Sequence, residues 1–235
     1  VAGSRRRPTP GKGEVRAVAV DVDGTLTRAD RRVGLGAVEA LRKVEDSGVP
    51  VMLASGNVLP IAFALSTYLG FKGPVIAENG GIVCHNQRIW TLGDPRVPKA
   101  AYRHLLTKID APRLFTDKWR VTEVALRPIV KLETVRRHLR GFDVDVLSSG
   151  FAVHIMTKGM NKVVGVRKAC EILDIPINEA AAIGDADNDI GMITECGFGI
   201  AVGNAFAGTK KVASHVVRGE DGAGVVEALE WLRLV

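Results

Sequence analysis

Two aspartates one residue apart, Asp21 and Asp23, close the apolar run "VRAVAV" and lead directly into Gly24 and Thr25. Like charges this close at the end of a buried strand need a counter-charge or a task. Three further polar clusters stand beside apolar runs: Ser55-Gly56-Asn57 after "VPVMLA", Gly184 to Asp189 ("GDADND") after "AAAI", and Lys162 at the opening of a helical pattern. In a doubly wound sheet, ligands bind beyond the carboxyl ends of the strands, so the clusters are expected to converge on one rim. Converging carboxylates favour a hard divalent cation, and Mg²⁺ is the usual one beside phosphate. Ser55 and Gly56, read as preceding a helix N-terminus, offer a hydroxyl and free N–H groups to an anion. Lys162 supplies a point charge suited to phosphate, with Lys158 as a rival. A metal, an anion cradle and a carboxylate nucleophile describe phosphoryl transfer through an aspartyl-phosphate. One aspartate of the pair attacks phosphorus; the other protonates the leaving oxygen and then activates water.

Those residues need a scaffold, and the hydrophobic pattern supplies it. From Val15 onward, short apolar strands alternate with amphipathic helices: "VRAVAV", a helix over 35–46, "VPVMLA", the helix "VLPIAFALSTYLG" and the strand of "PVIAENGG". The alternation resumes with helix "NKVVGVRKACEILDI", strand "AAAIG", helix "NDIGMITECG", strand "FGIAV" and a last helix in "GAGVVEALEWLRLV". Near-continuous apolar strands with intervening helices predict an α/β fold, a Rossmann-like parallel sheet covered on both faces. The middle differs. A hairpin turning at Asn86-Gln87, a helix over 98–109, "RVTEVALR", a helix over 131–140, and the strands "DVDVLS" and "FAVHIM" read as an inserted small α+β sandwich. The expected division is a discontinuous core of 14–81 and 157–235, an α/β cap of 82–156 and a flexible tail of 1–13.

In chain order, "DVDGTLT", "LASGN", the lysine of "KGMNK" and "IGDADND" resemble the four motifs of the haloacid dehalogenase superfamily of phosphatases. The resemblance spans essentially 15–235. It implies Asp21 as nucleophile and metal ligand, and Asp23 as general acid/base with its backbone carbonyl on the metal. It implies phosphate binding by Ser55, Gly56 and Lys162 rather than Lys158, and a Mg²⁺ site completed by Asp185 and Asp189. Only about thirty residues separate Asp23 from Ser55, too few for a helical cap there. The insertion before Lys162 is similar to the α/β cap type, and the short cap, "ASGNV" and "ENGG" look most like archaeal phosphoglycolate phosphatases. That likeness implies hydrolysis of 2-phosphoglycolate to glycolate and phosphate. A sugar-phosphate phosphatase or phosphomutase of the same superfamily is the alternative. Arg88, Arg120, Arg127 and Lys131 are candidates to meet a substrate carboxylate. Asp187 is left out of the metal site, Asn188 either orients a ligand or caps the next helix, and Glu78 and Asn79 either touch substrate or form a turn.

Composition narrows the classes further. At 235 residues, 46% hydrophobic and 25% charged, the chain reads as an ordinary globular protein with no apolar run long enough to span a bilayer. The "VAGSRRRPTPGKGEV" start lacks the apolar stretch of a secretory signal. Three cysteines without a CxxC pair predict no disulfide scaffold and a cytoplasmic location. The net charge of +6 is dispersed, without the aromatic interleaving of a single-strand binder, so the expected partner is a small phosphorylated metabolite rather than nucleic acid or membrane, with a monomer or homodimer. Calcium loops fail, since an EF-hand begun at Asp185 puts Ile190 where glycine is required and Cys196 where the bidentate glutamate belongs. A phospho-accepting signalling module fits poorly, because Ser55 rather than an aspartate closes the second strand.

Overall fold

The computed structural model describes residues 8–11, 13–149 and 151–235. Residues 1–7 and 12 of the expected flexible tail lie outside this set, and Pro10, also assigned to that tail, is buried. The chain runs through strand β1 (Ala17–Asp21), helix α1 (Leu35–Asp46), β2 (Val51–Ala54), α2 (Leu59–Leu69), β3 (Val75–Ala77), β4 (Ile82–His85) and β5 (Arg88–Thr91). There follow α3 (Arg96–Leu106), β6 (Glu123–Leu126), α4 (Leu132–His138), β7 (Val144–Ser148) and β8 (Val153–Thr157). The last stretch holds α5 (Lys162–Leu173), β9 (Ala180–Gly184), α6 (Ile190–Glu195), β10 (Phe198–Ala201), α7 (Ala207–Val212), β11 (His215–Val216) and α8 (Asp221–Trp231).

Eight strands form one sheet in the order β11-β10-β9-β1-β2-β3-β4-β5, parallel from β11 through β3. β1, β2, β3, β9 and β10 are buried throughout, as strands covered on both faces must be. Helix α1 packs on α8, while α5 packs on α6 and α6 on α7, giving the two helical layers. Helix α1 forms where the sequence pattern expects it, burying Ala37, Val38, Leu41 and Val44 along one stripe. Helix α2 carries proline in its first turn and stops at Gly70, in the left-handed region at φ +84°.

The chain leaves β1 toward β2 on one side and returns to pair β9 on its other side. β1 is therefore a topological switch, and the crevice at its carboxyl end is where such sheets bind ligands. Asp21 is the last residue of β1, Ser55 follows β2 and Asp185 follows β9.

The smaller sheet is antiparallel, in the order β6-β8-β7, with α3 against β6 and β8 and α4 against β7. Period-two alternation divides its faces. Val124, Leu126, Val153 and Ile155 join Ala101, Leu105 and Val135 in a separate hydrophobic cluster, which leaves Glu123, Ala125, His154 and Met156 on the opposite face.

Two expectations change. The hairpin assigned to the insertion, β4 and β5, pairs instead with β3 and extends the large sheet. β3 would otherwise be an exposed edge, and the hairpin buries Ile82, Val83 and Cys84 against it. The independent small sheet thus begins after Thr91. Helix α7 and strand β11 add to the elements expected from the sequence; at six and two residues they are too short for a clear periodic signal.

Leu53, fully buried in β2 between the helical layers, tests this core. Leu53→Ala is expected to lower stability by ~3 kcal/mol, read as a lower midpoint in chemical unfolding.

Candidate active site

Two strand ends, those of β1 and β9, and the start of helix α5 bring four charged side chains to a single buried point. The side chains of Asp21, Asp185 and Asp189 each offer a carboxylate oxygen within 4.8 Å of the others. Lys162 joins them, donating from Nζ to Asp21 Oδ1 and, at 2.6 Å, to Asp189 Oδ1. Lys162 is 1% exposed and Asp189 0%, so these charges meet in a low dielectric where their interactions are strong.

Local chemistry holds each group. Lys162 is the first residue of α5, behind Asn161, whose Oδ1 caps the helix by accepting from the Val163 N–H at 3.1 Å. The rival Lys158 is exposed. Asp189 Oδ2 accepts from the Asp185 and Ala186 N–H groups at 3.0 Å each, folding the acidic loop around its own last carboxylate. Asp185 Oδ1 accepts from Thr25 Oγ1 at 2.9 Å, tying the two acidic loops together. Gly24 makes the approach possible: its φ is +92°, and a Cβ there would lie 2.5 Å from Asp185 Oδ2.

The electrostatics follow from burial and like charge. Burial, then the Asp189 charge, raises Asp21 well above the usual carboxylate range. The same two causes push Asp185 up to about 6. Burial alone would lower Lys162, but Asp189 and Asp21 outweigh it and hold the ammonium firmly protonated. Three buried carboxylates against one ammonium leave an excess of negative charge. An oxygen-only donor set of this kind suits a hard divalent cation, so the chemistry of the residues present fits such an ion.

Asp23 lies apart from the triad. Its carboxylate is partly exposed and accepts from Asn57 Nδ2 at 2.9 Å and from Arg31 Nη2 at 3.2 Å. Asn57 thereby fastens Asp23 to the Ser55 loop. Ser55 is buried, and its Oγ accepts from the Asn57 N–H at 3.0 Å, leaving the hydroxyl proton to donate elsewhere. The helix expected over "VLPIAFALSTYLG" begins at Leu59 with Val58 as its N-cap, so Ser55 and Gly56 precede its N-terminus without capping it. Asn57, which by residue type could cap that helix or touch substrate, does not cap it: its side chain is held by Asp23, and any anion site at Ser55 rests on loop N–H groups and the hydroxyl.

Asp187 is exposed. Asn188 does not cap α6, whose N-cap is Asp189: its Nδ2 donates to Asn79 Oδ1 at 3.1 Å, and its buried Oδ1 has no hydrogen-bond partner among the described residues. Asn79 belongs to a polar network between the two sheets. Glu78, Asn79 and Gly80 all have positive φ, and their turn is bonded to the Ser55 loop through Glu78 N–H to Asn57 O and Asn79 N–H to Ser55 O. A Cβ on Gly80 would strike Asn161 O at 2.1 Å, so only glycine lets this turn pass the start of α5. The turn aims Glu78 at the Val121 and Thr122 N–H groups (3.0 and 2.7 Å) and at Thr122 Oγ1. Asn79 Nδ2 donates to Glu123 Oε2 at 3.0 Å. Glu123 also meets Arg120 and His154 Nδ1, and Arg120 Nη1 donates to Gly56 O at 2.9 Å. Of the four basic candidates for an anion contact, Arg120 is buried while Arg88, Arg127 and Lys131 are exposed. Sequence reasoning gave Glu123 no role, and it read His154, without ligand spacing, as a surface or core residue; His154 is buried. The one trace they leave is a single ionisable residue in each of the apolar strands "EVAL" and "VHIM".

Buried acids and a hydroxyl-bearing loop meet at the switch point of a doubly wound sheet, the place where α/β folds bind ligands. Residues 18–114 and 130–229 match the haloacid dehalogenase-like hydrolase family; the chain belongs to it. The chain is 40% identical over 215 residues to a phosphoglycolate phosphatase of Methanothermobacter thermautotrophicus, covering 92% of this chain and 97% of that one. It is also 40% identical over 222 residues to a phosphoglycolate phosphatase of Archaeoglobus fulgidus, covering 94% and 98%. Among solved structures, Thermoplasma acidophilum 0175 superposes with a TM-score of 0.87 at 29% identity, over 94% of this chain and 99% of that one. No described helix is long and apolar enough to cross a membrane.

The raised Asp185 pKa carries a sign. The folded chain favours the protonated acid, so it binds more protons than the unfolded chain between about pH 4 and about pH 6 and loses stability as pH rises through that window. In chelator, Asp185→Asn is therefore expected to melt above the unsubstituted chain at pH 7, with the gap closing below about pH 4. Thermal unfolding across pH measures it.

Proposed function

We propose that this chain is a Mg²⁺-dependent phosphatase of small phosphate monoesters whose substrate is 2-phosphoglycolate, released as glycolate and phosphate. The observation that carries the reading is the buried meeting of Asp21, Asp185, Asp189 and Lys162 beside the Ser55 loop. Relatives of nearly the same length, 35–40% identical and named phosphoglycolate phosphatase, support the substrate.

In this reading Asp21, Asp185 and Asp189 hold the metal through their side chains and Asp23 through its backbone carbonyl. The bound ion offsets the repulsion between a carboxylate and an anionic ester and stabilises charge on the phosphoryl oxygens. Ser55 donates its hydroxyl proton to a phosphoryl oxygen, and the Gly56 loop offers backbone N–H groups. Lys162 holds Asp21 in orientation and adds positive charge for the incoming phosphate. Asp21 attacks phosphorus and forms an aspartyl-phosphate. Asp23 protonates the departing alkoxide, then takes a proton from the water that opens the acyl phosphate. Asn57, bonded to Asp23, keeps this acid beside the phosphate loop. The body carrying the small sheet, after Thr91 and up to about residue 156, acts as a cap over the core of 14–91 and 157–235, excluding bulk water during turnover.

Phosphate release from a panel of 2-phosphoglycolate, hexose phosphates and sucrose phosphate, with Mg²⁺ and with EDTA, tests the reading. 2-Phosphoglycolate is expected to give the highest kcat/KM, and EDTA to stop turnover. A preference for a hexose phosphate would overturn the substrate. Asp21→Asn is expected to lower kcat by at least about a thousandfold with the fold retained by circular dichroism, because an amide is a poor nucleophile. Asp185→Ala is expected to raise the Mg²⁺ concentration for half-maximal rate by roughly ten- to a hundredfold, read from metal titrations of the rate.

A further inference from the structure

Arg120 is an arginine whose charge is buried and only half used. Its side chain is 0% exposed. Nη1 serves both Gly56 O and Glu123 Oε1, yet among the described residues Nε and Nη2 have no hydrogen-bond partner. Unpaired buried donors are rare because each has lost water and gained nothing. The two orphans are also not independent. The Nε–H and one Nη2–H point the same way along a single edge of the guanidinium, the edge that grips a carboxylate with two parallel hydrogen bonds.

The position of the guanidinium gives it a role. Gly56 O, which Nη1 reaches, belongs to the residue after Ser55. Through Glu123 and Asn79 the same arginine is linked to Asn188, the neighbour of Asp189. Arg120 thus lies where the small sheet meets the core, beside the loop assigned to phosphate. Glu78 grips the chain immediately after it, at Val121 and Thr122. Glu123 occupies the Nη1 side, and the Nε/Nη2 edge is buried with no protein acceptor among the described residues.

We propose that Arg120 is the specificity residue of this site, binding through its Nε/Nη2 edge a carboxylate borne by the phosphate ester. The inference rests on the phosphatase reading above and deepens it: the substrate class is the small carboxylated phosphate monoester, its two anionic ends held by the Ser55 loop and by Arg120. Glu123, itself held by Asn79 and His154, is a positioning residue that keeps the guanidinium aimed. A site built to pair a charged group discriminates strongly against an analogue lacking it, because the donors are then left buried and unpaired.

The test compares kcat/KM, with Mg²⁺, for 2-phosphoglycolate and for 2-hydroxyethyl phosphate, which carries CH₂OH in place of the carboxylate. The unsubstituted chain is expected to prefer the carboxylated ester. Arg120→Lys keeps a positive charge beside Glu123 but lacks the fork. It is expected to reduce the ratio of the two kcat/KM values at least about tenfold, chiefly because the carboxylated ester binds less tightly and its KM rises. The double variant Arg120→Gln with Glu123→Gln removes the buried pair together and is expected to reduce the ratio at least as far. If the two rates fall together so that the ratio holds, Arg120 only braces the Gly56 loop and the proposal is overturned. It is equally overturned if the unsubstituted chain shows no preference for the carboxylated ester, although the phosphatase reading then stands. If neither ester nor any other phosphate monoester is hydrolysed, the phosphatase reading itself has failed and the proposal falls with it.

Discussion

The structure turns on one electrostatic constraint: three carboxylates, Asp21, Asp185 and Asp189, share a buried point with a single ammonium, Lys162. Isolated charges would not persist there, since desolvation alone raises a buried acid until it takes up a proton. The surrounding chain is arranged to make the cluster tolerable. Backbone N–H groups of the acidic loop bind Asp189, Thr25 binds Asp185, and Lys162 bridges two of the acids. The residual negative charge is what makes the site a fit for a hard cation and, with one bound, for an anionic ester. Stability has been exchanged for a poised charge distribution, as expected where a fold carries chemistry.

The parallel sheet is the device that holds this cluster. Because β1 is flanked by β2 on one side and β9 on the other, loops far apart in the chain open onto the same crevice. Rigid, fully buried strands fix the positions of Asp21, Ser55 and Asp185 more tightly than any surface loop could. Polar contacts then extend from the crevice into the small sheet. Glu78 and Asn79 reach Thr122 and Glu123, while Arg120 reaches back to Gly56. A buried network of this kind is sensitive to geometry, since a lost partner leaves a desolvated group unpaired. Small and large sheets are therefore joined through buried hydrogen bonds.

Much of this was readable along the chain. Strands β1, β2, β3, β9 and β10 announce themselves because burial on both faces demands unbroken apolar runs. Helices α1 and α5 do so through their 3.6-residue stripes and terminal residues. The acidic and serine clusters stand out because polar residues at the end of an apolar strand have few structural reasons to be there. Other features were hidden. The β4–β5 hairpin carries a clear turn at Asn86-Gln87, yet nothing local states which sheet it joins; the exposed edge of β3 decides that. Helix α7 and strand β11 are too short to generate a period. Asn57 and Asn188 have the composition of helix caps, and their actual partners, Asp23 and Asn79, lie 34 and 109 residues away.

The sequence by itself determined the alternation of strands and helices, the α/β class and the four clusters that mark the crevice, because each is encoded by neighbours a few residues apart. Tertiary structure alone decided which basic residue is buried, where the hairpin pairs, and that Glu123 and His154 meet Arg120 in one buried network. Those outcomes depend on distance in space and on exclusion from water, and neither quantity is carried by the order of residues along the chain.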